Sequence, residues 1–204
     1  MKRTFALLVV PALAFGLAAC GGDDSGDGKD PMAGHSMPAS PSTGGSQGRH
    51  NEQDVMFAQM MIPHHRQAIE MSDLAATRAA SPEVKKLATQ IKAAQDPEIK
   101  QLTGWLTGWG APVPSPGASG MGHMSHGGMD GMMSAKEMKG LEGAKGAAFD
   151  RSFLEMMIKH HEGAVTMAKT EQSSGQFPAA RTMAGEIVSS QSAEISTMRN
   201  LLKR

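Results

Sequence analysis

Apolar residues recur every three or four positions between residues 57 and 71, which is the spacing of one face of an amphipathic α-helix. Asn51 is a plausible N-cap for this helix, and we expect the helix to continue to about Ala79. The dipeptide Ser81-Pro82 then supplies a capping hydroxyl and a proline for the first turn of a second helix. This second helix is predicted to end near Gly108, where glycine and proline become frequent.

The same pattern occurs again 96 positions later. Residues 54–71 align with 150–167 without a gap, and the register continues from 82–106 to 178–202. The residues shared by the first pair of segments are Asp54, Phe57, Met60, Met61, Ile62, His64, His65, Ala68 and Met71, which recur as Asp150, Phe153, Met156, Met157, Ile158, His160, His161, Ala164 and Met167. An ungapped repeat in two copies indicates a duplicated helical hairpin rather than a solenoid, which needs about three or more units.

The second copy predicts one helix from Phe149 to about Ser173 and another from Pro178 to Leu202. Before them, Ser134 and Glu137 form a capping-box pattern that predicts a short extra helix. No segment alternates apolar and polar residues as a strand does, so the fold class is all-α.

We expect the two hairpins to assemble into one four-helix bundle, because a unit of about fifty residues is marginal alone. The bundle domain is assigned to residues 51–204, with repeat one at 51–109 and repeat two at 135–204. Residues 110–134 form a Gly- and Pro-containing linker, which makes a long crossover between the second and third long helices.

The first twenty residues are typical of an export signal, with Lys2 and Arg3 before an apolar run at 5–17. The sequence that ends at Cys20, Leu-Ala-Ala-Cys, is similar to a bacterial lipobox and predicts a lipid-anchored, extracytoplasmic protein. The alternative is an ordinary cleaved signal that happens to end in cysteine. Residues 21–50 are rich in Gly, Ser, Asp and Pro and predict a disordered tether.

Cys20 is the only cysteine, which excludes a disulfide framework and a thiolate metal site within the fold. Without the signal the chain has 18 Lys+Arg against 20 Asp+Glu, and it has no basic patch that would indicate nucleic acid as a partner. Metal chemistry here must therefore use histidine, methionine and carboxylate.

The two histidines of each repeat differ in position on the helical wheel. His64 lies in the apolar stripe, and His65 lies on its shoulder about 100° away. Residues four apart on a helix are neighbours, so the repeats contain four Met/His pairs that can share an ion. The pairs are Met60 with His64, Met61 with His65, Met156 with His160, and Met157 with His161. Thioether and imidazole donors together favour copper, and Cu(I) over Cu(II).

A packing interpretation stays open for these residues, because methionine is a flexible core filler and a buried histidine is often only hydrogen-bonded. The linker offers a separate indication, since a His- and Met-rich tract is typical of metal binding. Its candidate ligands are Met121, His123, Met124, His126, Met129, Met132 and Met133. We expect methionines in a disordered linker not to be core residues, although compositional drift is an alternative.

Nothing in the chain predicts catalysis. A di-iron bundle uses Glu-x-x-His pairs, and no glutamate stands three residues before any of the four histidines. The His-Glu-x-x-His motif is also absent, and no nucleophile is set beside a base.

The doubled pattern D-x-x-F-x-x-M-M-x-x-H-H-x-x-A-x-x-M resembles the "domain of unknown function 305" family of exported bacterial proteins, over about 54–106 and 147–203. The resemblance implies a ferritin-like four-helix fold, and it implies a link to extracytoplasmic copper binding and copper tolerance. By position, the four histidines and the four methionines of the pairs would be the ligands.

These observations predict a lipid-anchored copper-binding protein outside the cytoplasm that sequesters copper or hands it on. Its partners would be the metal ion and the membrane, and the sequence names no protein partner. The alternative is a helical interaction module of the cell envelope that holds no cofactor. A ferritin-like metal oxidase is a third hypothesis, against which the missing Glu-x-x-His counts.

Overall fold

The computed structural model describes residues 48–115 and 130–204, and these residues form five α-helices. The helices are α1 (Glu52–Arg78), α2 (Pro82–Gly108), α3 (Ala135–Gly143), α4 (Gly146–Ser174) and α5 (Pro178–Leu201). Within the described ranges the only β-type pairing is an isolated bridge between Ala79 and Gly146. The predicted all-α fold is confirmed, with four long helices and the short α3. The predicted signal peptide, Cys20 and most of the tether lie outside the described residues.

Helix starts agree with the capping residues that the sequence predicts. Asn51 caps α1 in a reciprocal capping box with Asp54, and Ser81 accepts a hydrogen bond from the N–H of Val84 in α2. The short helix α3 begins with the expected capping box of Ser134 and Glu137. Local sequence alone therefore decides these three boundaries.

The first residue of each repeat motif connects the two hairpins. The Asp54 carboxylate accepts hydrogen bonds from the backbone N–H groups of Gln176 (3.0 Å) and Phe177 (2.9 Å), just before α5. Its counterpart Asp150 accepts from the N–H groups of Ala80 (3.1 Å) and Ser81 (2.8 Å), just before α2. Each repeat thus binds the turn of the other, which a single helical wheel does not reveal.

The long helices pack as α1 on α2, α4 on α5, and α1 on α4, so the two hairpins meet through their first helices. Two apolar clusters fill the interior. One combines the N-terminal half of α1 with the C-terminal half of α4, and the other combines the opposite halves. The helices α1 and α4 are therefore antiparallel, and equivalent residues face each other across a pseudo-two-fold axis.

The N-terminal tether and the linker each contact the bundle at their C-terminal ends, which the structure describes. The His50 ring stacks on Trp109, with centroids 4.5 Å apart. At the end of the linker, the Gln67 side chain bonds both the carbonyl (2.8 Å) and the N–H (2.7 Å) of Met133. The Met133 side chain is buried in the apolar cluster with α3. The expectation that linker methionines are not core residues is therefore wrong for Met133.

Close approach of the linker end to α4 requires glycine at position 163. A Cβ there would lie 1.9 Å from the carbonyl oxygen of Asp130. We expect Gly163→Ala to displace residues 130–131 and to lower the free energy of unfolding by about 1–3 kcal/mol. Urea denaturation measures this change. Gly104→Ala is the matched control, because a Cβ at that exposed helical position meets nothing within 4 Å. It should stabilise the protein by about 0.5–1 kcal/mol, and equal effects of both variants would contradict the close-approach argument.

Candidate metal centre

A layer of polar side chains separates the two apolar clusters at the middle of the bundle. Each long helix contributes one segment to each apolar cluster. Between these two segments, each helix carries buried or half-buried polar residues, two of which belong to the layer. They are His64 and His65 on α1, Gln95 and Glu98 on α2, His160 and His161 on α4, and Gln191 and Glu194 on α5. The four residues of the first repeat thus match the four of the second, and the layer shares the pseudo-two-fold symmetry.

His64 and His160 meet at the centre of this layer. Their ring centroids are 3.7 Å apart, with the ring planes inclined at 39°. His64 is 2% exposed and His160 is fully buried. All four of their ring nitrogens are buried and have no hydrogen-bond partner. Since an unpartnered buried polar group costs about 1–3 kcal/mol, this arrangement needs an explanation other than stability.

His65 and His161 differ from the central pair because each contacts a glutamate. The Nε2 atom of His65 lies 2.6 Å from a carboxylate oxygen of Glu98, and that of His161 lies 2.7 Å from Glu194. The Nδ1 atoms of both rings are buried and have no hydrogen-bond partner. Although the sequence places His65 on the shoulder of the apolar stripe, its side chain is fully buried.

Burial keeps the central imidazoles neutral. It lowers the pKa of His64 from 6.5 to about 3, and unfavourable electrostatic interactions with the neighbouring rings of His65 and His161 act in the same direction. Burial also holds the pKa of His160 well below 6.5, and electrostatic interactions with the other three histidine rings add to this. The four rings are thus close enough to influence one another. Because metals bind neutral imidazole, the central pair is in the protonation state of a ligand at neutral pH.

Comparison with known proteins identifies the family of this chain. The family model described as "Domain of unknown function (DUF305)" matches residues 54–202. The chain belongs to the DUF305 family.

Solved structures of DUF305-like proteins share the fold. A DUF305 protein from Streptomyces coelicolor, described as secreted, is 35% identical, with a TM-score of 0.66, and the alignment covers 74% of this chain and 92% of that one. A DUF305 fragment from Deinococcus radiodurans is 32% identical, with a TM-score of 0.67 over 77% and 99% of the two chains. CopM in its Cu(I)-bound form is 34% identical, with a TM-score of 0.61 over 74% and 95%. No curated protein sequence matches the chain.

The methionines of the DUF305 motif lie in and beside the apolar clusters. Met61 and Met157 are fully buried, and Met60 and Met156 are partly buried against the clusters. These methionines therefore contribute to packing, whereas packing does not account for the imidazoles. Across the described ranges, no group of three or more His, Cys, Asp or Glu side chains has the spacing of a metal site. The two central imidazoles, one from each hairpin, lie with their ring centroids 3.7 Å apart.

The candidate ligands of the linker divide into two groups. Met121, His123, Met124, His126 and Met129 lie outside the described residues. Met132 is partly buried, and Met133 is the core residue described above. The backbone of Asp130, where the described chain resumes, approaches the His64 ring and opposes the lowering of its pKa by burial. The linker therefore rejoins the DUF305 bundle beside the central histidines.

Sequence reasoning missed Glu98 and Glu194 as parts of this site. Both lie 33 positions after the second histidine of their repeat. Their recurrence at equivalent positions was visible in the alignment of the two copies, but periodicity assigns them only to a helix face. None of the helices in the described part of this DUF305 chain is both long and apolar enough to cross a membrane.

Proposed function

We propose that this DUF305 protein binds copper outside the cytoplasm, with His64 and His160 as the central ligands. His65, His161 and the methionines at positions 60, 61, 156 and 157 complete the candidate ligand set. The protein sequesters copper or hands it on, and it carries out no catalysis. Cu(I) is the favoured oxidation state, because thioether and imidazole donors are soft to borderline.

The observation that carries this proposal is the set of unpartnered nitrogens on the central rings. Burying four imidazole nitrogens without hydrogen bonds reduces the stability of the folded state, so a functional reason for them is expected. Ring centroids 3.7 Å apart mean that the two rings touch, so their nitrogens are concentrated in one small region of the layer. The donor types and their approach therefore fit a soft metal ion.

The family relationship supports the same conclusion. CopM shares the fold at over 30% identity, and it has been solved with Cu(I), Cu(II) and silver bound. Silver is a soft monovalent ion like Cu(I), so the same donors suit both. An extracytoplasmic location agrees with the predicted N-terminal signal and with the Streptomyces relative, which is described as secreted. Cys20 would provide a lipid anchor.

Copper titration tests the folded site. In competition with a chromogenic Cu(I) chelator, the wild type should take up copper that a variant with His64, His65, His160 and His161 all changed to alanine does not bind. His50→Ala is the matched control, because His50 is exposed, lies before the start of α1 and stacks on Trp109. Equal uptake by the wild type and the fourfold variant would refute the folded site. If copper changes neither the melting temperature nor the histidine NMR shifts, the alternative of a helical interaction module is favoured instead.

The Met/His tract of the linker is proposed as a lower-affinity copper collector, and its test is separate. Deletion of residues 121–129 removes five candidate ligands but keeps Met133, whose side chain fills the core. We expect the deletion to lower the copper stoichiometry and to leave the tightest binding step unchanged. An unchanged stoichiometry would remove the collector from the proposal.

A further inference from the structure

Two histidine–glutamate contacts occur in equivalent positions of the two repeats. In each, the imidazole comes from the first helix of a hairpin and the carboxylate from the second. The two Nε2–oxygen distances agree within 0.1 Å, at 2.6 and 2.7 Å. Both histidines are fully buried, and both glutamate side chains are 21% exposed. A contact that recurs so closely in two segments of different sequence points to a shared role.

The glutamates decide which ring nitrogen carries the proton. A carboxylate accepts hydrogen bonds, so a neutral imidazole that faces it donates from Nε2. The lone pair then lies on Nδ1, which in both rings is buried and has no partner. Because no protein donor faces it, this lone pair is available to a metal ion. By contrast, no carboxylate contacts the ring of His64 or His160, so neither ring has a nitrogen selected in this way.

We propose that Glu98 and Glu194 are positioning residues that hold His65 and His161 as Nε2–H tautomers and make Nδ1 the copper-ligating atom. This inference rests on the proposed function of the same layer. Metal-ligating histidines usually donate the other ring N–H to a carboxylate or carbonyl, which fixes the ring and strengthens the ligand. The glutamates also reach the surface, so each carboxylate keeps part of its hydration while it orients a buried ring.

A purely structural role predicts a different response to amide substitution. Glutamine keeps the shape and one hydrogen bond, but its amide can either accept from Nε2–H or donate to a bare Nε2. Glu98→Gln therefore frees the tautomer of His65 without opening a cavity, and Glu194→Gln does the same for His161. If the contacts only fill the layer, these variants should bind copper like the wild type.

The experiment measures tautomers and affinity together. Long-range ¹H–¹⁵N NMR of the copper-free wild type should show His65 and His161 protonated on Nε2. Each glutamine variant should shift its own histidine away from that tautomer and weaken Cu(I) affinity by about 10–100-fold, measured against a chromogenic chelator. Glu186→Gln is the matched control, because it makes the same change at an exposed position of α5 and should leave both readouts unchanged.

The outcomes separate this inference from the proposed function. Wild-type rings protonated on Nδ1 would overturn the positioning role without any variant. Tight Cu(I) binding by the wild type and equally by both glutamine variants would also overturn it, and would leave copper binding intact. A wild type that takes up no Cu(I) would overturn both proposals.

Discussion

Replacing His64 and His160 together by leucine is expected to make the copper-free protein more stable, by about 2–5 kcal/mol in the free energy of unfolding. Both rings are buried against apolar clusters, and none of their four nitrogens has a hydrogen-bond partner. Leucine is similar in size to histidine and leaves no polar group unpaired. The substitution should therefore remove a penalty that the wild type carries until a metal ion binds.

The same double variant should lose its response to copper. Cu(I) at about 100 times its dissociation constant would stabilise the wild type by about 2.7 kcal/mol, because it binds only the folded state. The variant should show no such gain. Urea unfolding with and without Cu(I), under reducing conditions, measures both effects.

Met71→Leu is the matched control for repacking. Met71 is fully buried on the same face of α1 and belongs to no proposed ligand set, and its replacement should change stability by less than about 1.5 kcal/mol. A copper-free double variant that is less stable than the wild type would show that the imidazoles contribute to packing rather than reduce stability.

Stability should fall as the pH rises from about 6.5 to 8, because of the carboxyl pair Asp54 and Glu171. Both side chains are buried, and Oε1 of Glu171 has no hydrogen-bond partner. Since ionised carboxylates only accept hydrogen bonds, the two groups can bond to each other only if one of them carries a proton. Burial, followed by the hydrogen bond with Asp54 and its charge, raises the pKa of Glu171 from 4.5 to about 8. Although burial acts to raise the pKa of Asp54, hydrogen bonds from Glu171 and from backbone N–H groups lower it overall.

The direction follows from proton binding. Between pH 4.5 and about 8 the folded state keeps the Glu171 proton that the unfolded state loses, so this contribution to stability declines as the pH rises. His64 and His160 act in the opposite direction, because burial lowers the pKa of both rings and their contribution to stability is lost as the pH falls below 6.5. Below pH 6.5 the two histidines outweigh Glu171, so stability also declines as the pH falls. Above it Glu171 dominates, with a slope of up to about 1.4 kcal/mol per pH unit.

Glu171→Gln tests this dependence. The amide keeps a donor toward Asp54 but cannot titrate, so the decline between pH 6.5 and 8 should disappear and the variant should be the more stable protein at pH 8. Repeat one provides an internal reference, because Ala75 occupies the position equivalent to Glu171. Urea unfolding at a series of pH values measures the slope, and an unchanged slope in the variant would contradict the shared proton.

The histidine layer and the carboxyl pair depart from simple core formation in different ways. The carboxyl pair joins Asp54 of repeat one to Glu171 of repeat two and occurs at one of the two equivalent places, next to the backbone N–H groups that Asp54 binds before α5. The histidine layer occurs in both repeats and leaves the same three of four ring nitrogens without a hydrogen-bond partner in each. The cost of burying unpartnered imidazole nitrogens recurs in both repeats, which indicates a function for the histidine layer. For Asp54 and Glu171, a proton shared between the two carboxyl groups is sufficient to explain why both are buried.

Much of the fold followed from local patterns. The capping residues Asn51, Ser81 and Ser134 marked helix starts that the structure confirms, because caps act on backbone groups within three residues. The 96-residue repeat predicted two equivalent hairpins, and the family match confirms the resemblance that the doubled motif suggested. Linker composition did not predict that Met133 enters the core, since that contact depends on Gln67, 66 positions earlier.

The sequence by itself determined which donors lie on one face of each helix and that the two copies carry the same set. Only the tertiary structure decided that α1 meets α4, that His64 lies on His160, and that Glu98 and Glu194 face the neighbouring imidazoles. The physical reason is the separation in sequence of the residues that interact. Helical periodicity is set by residues three or four apart, whereas these contacts join residues 33 or 96 positions apart through the antiparallel packing of whole helices.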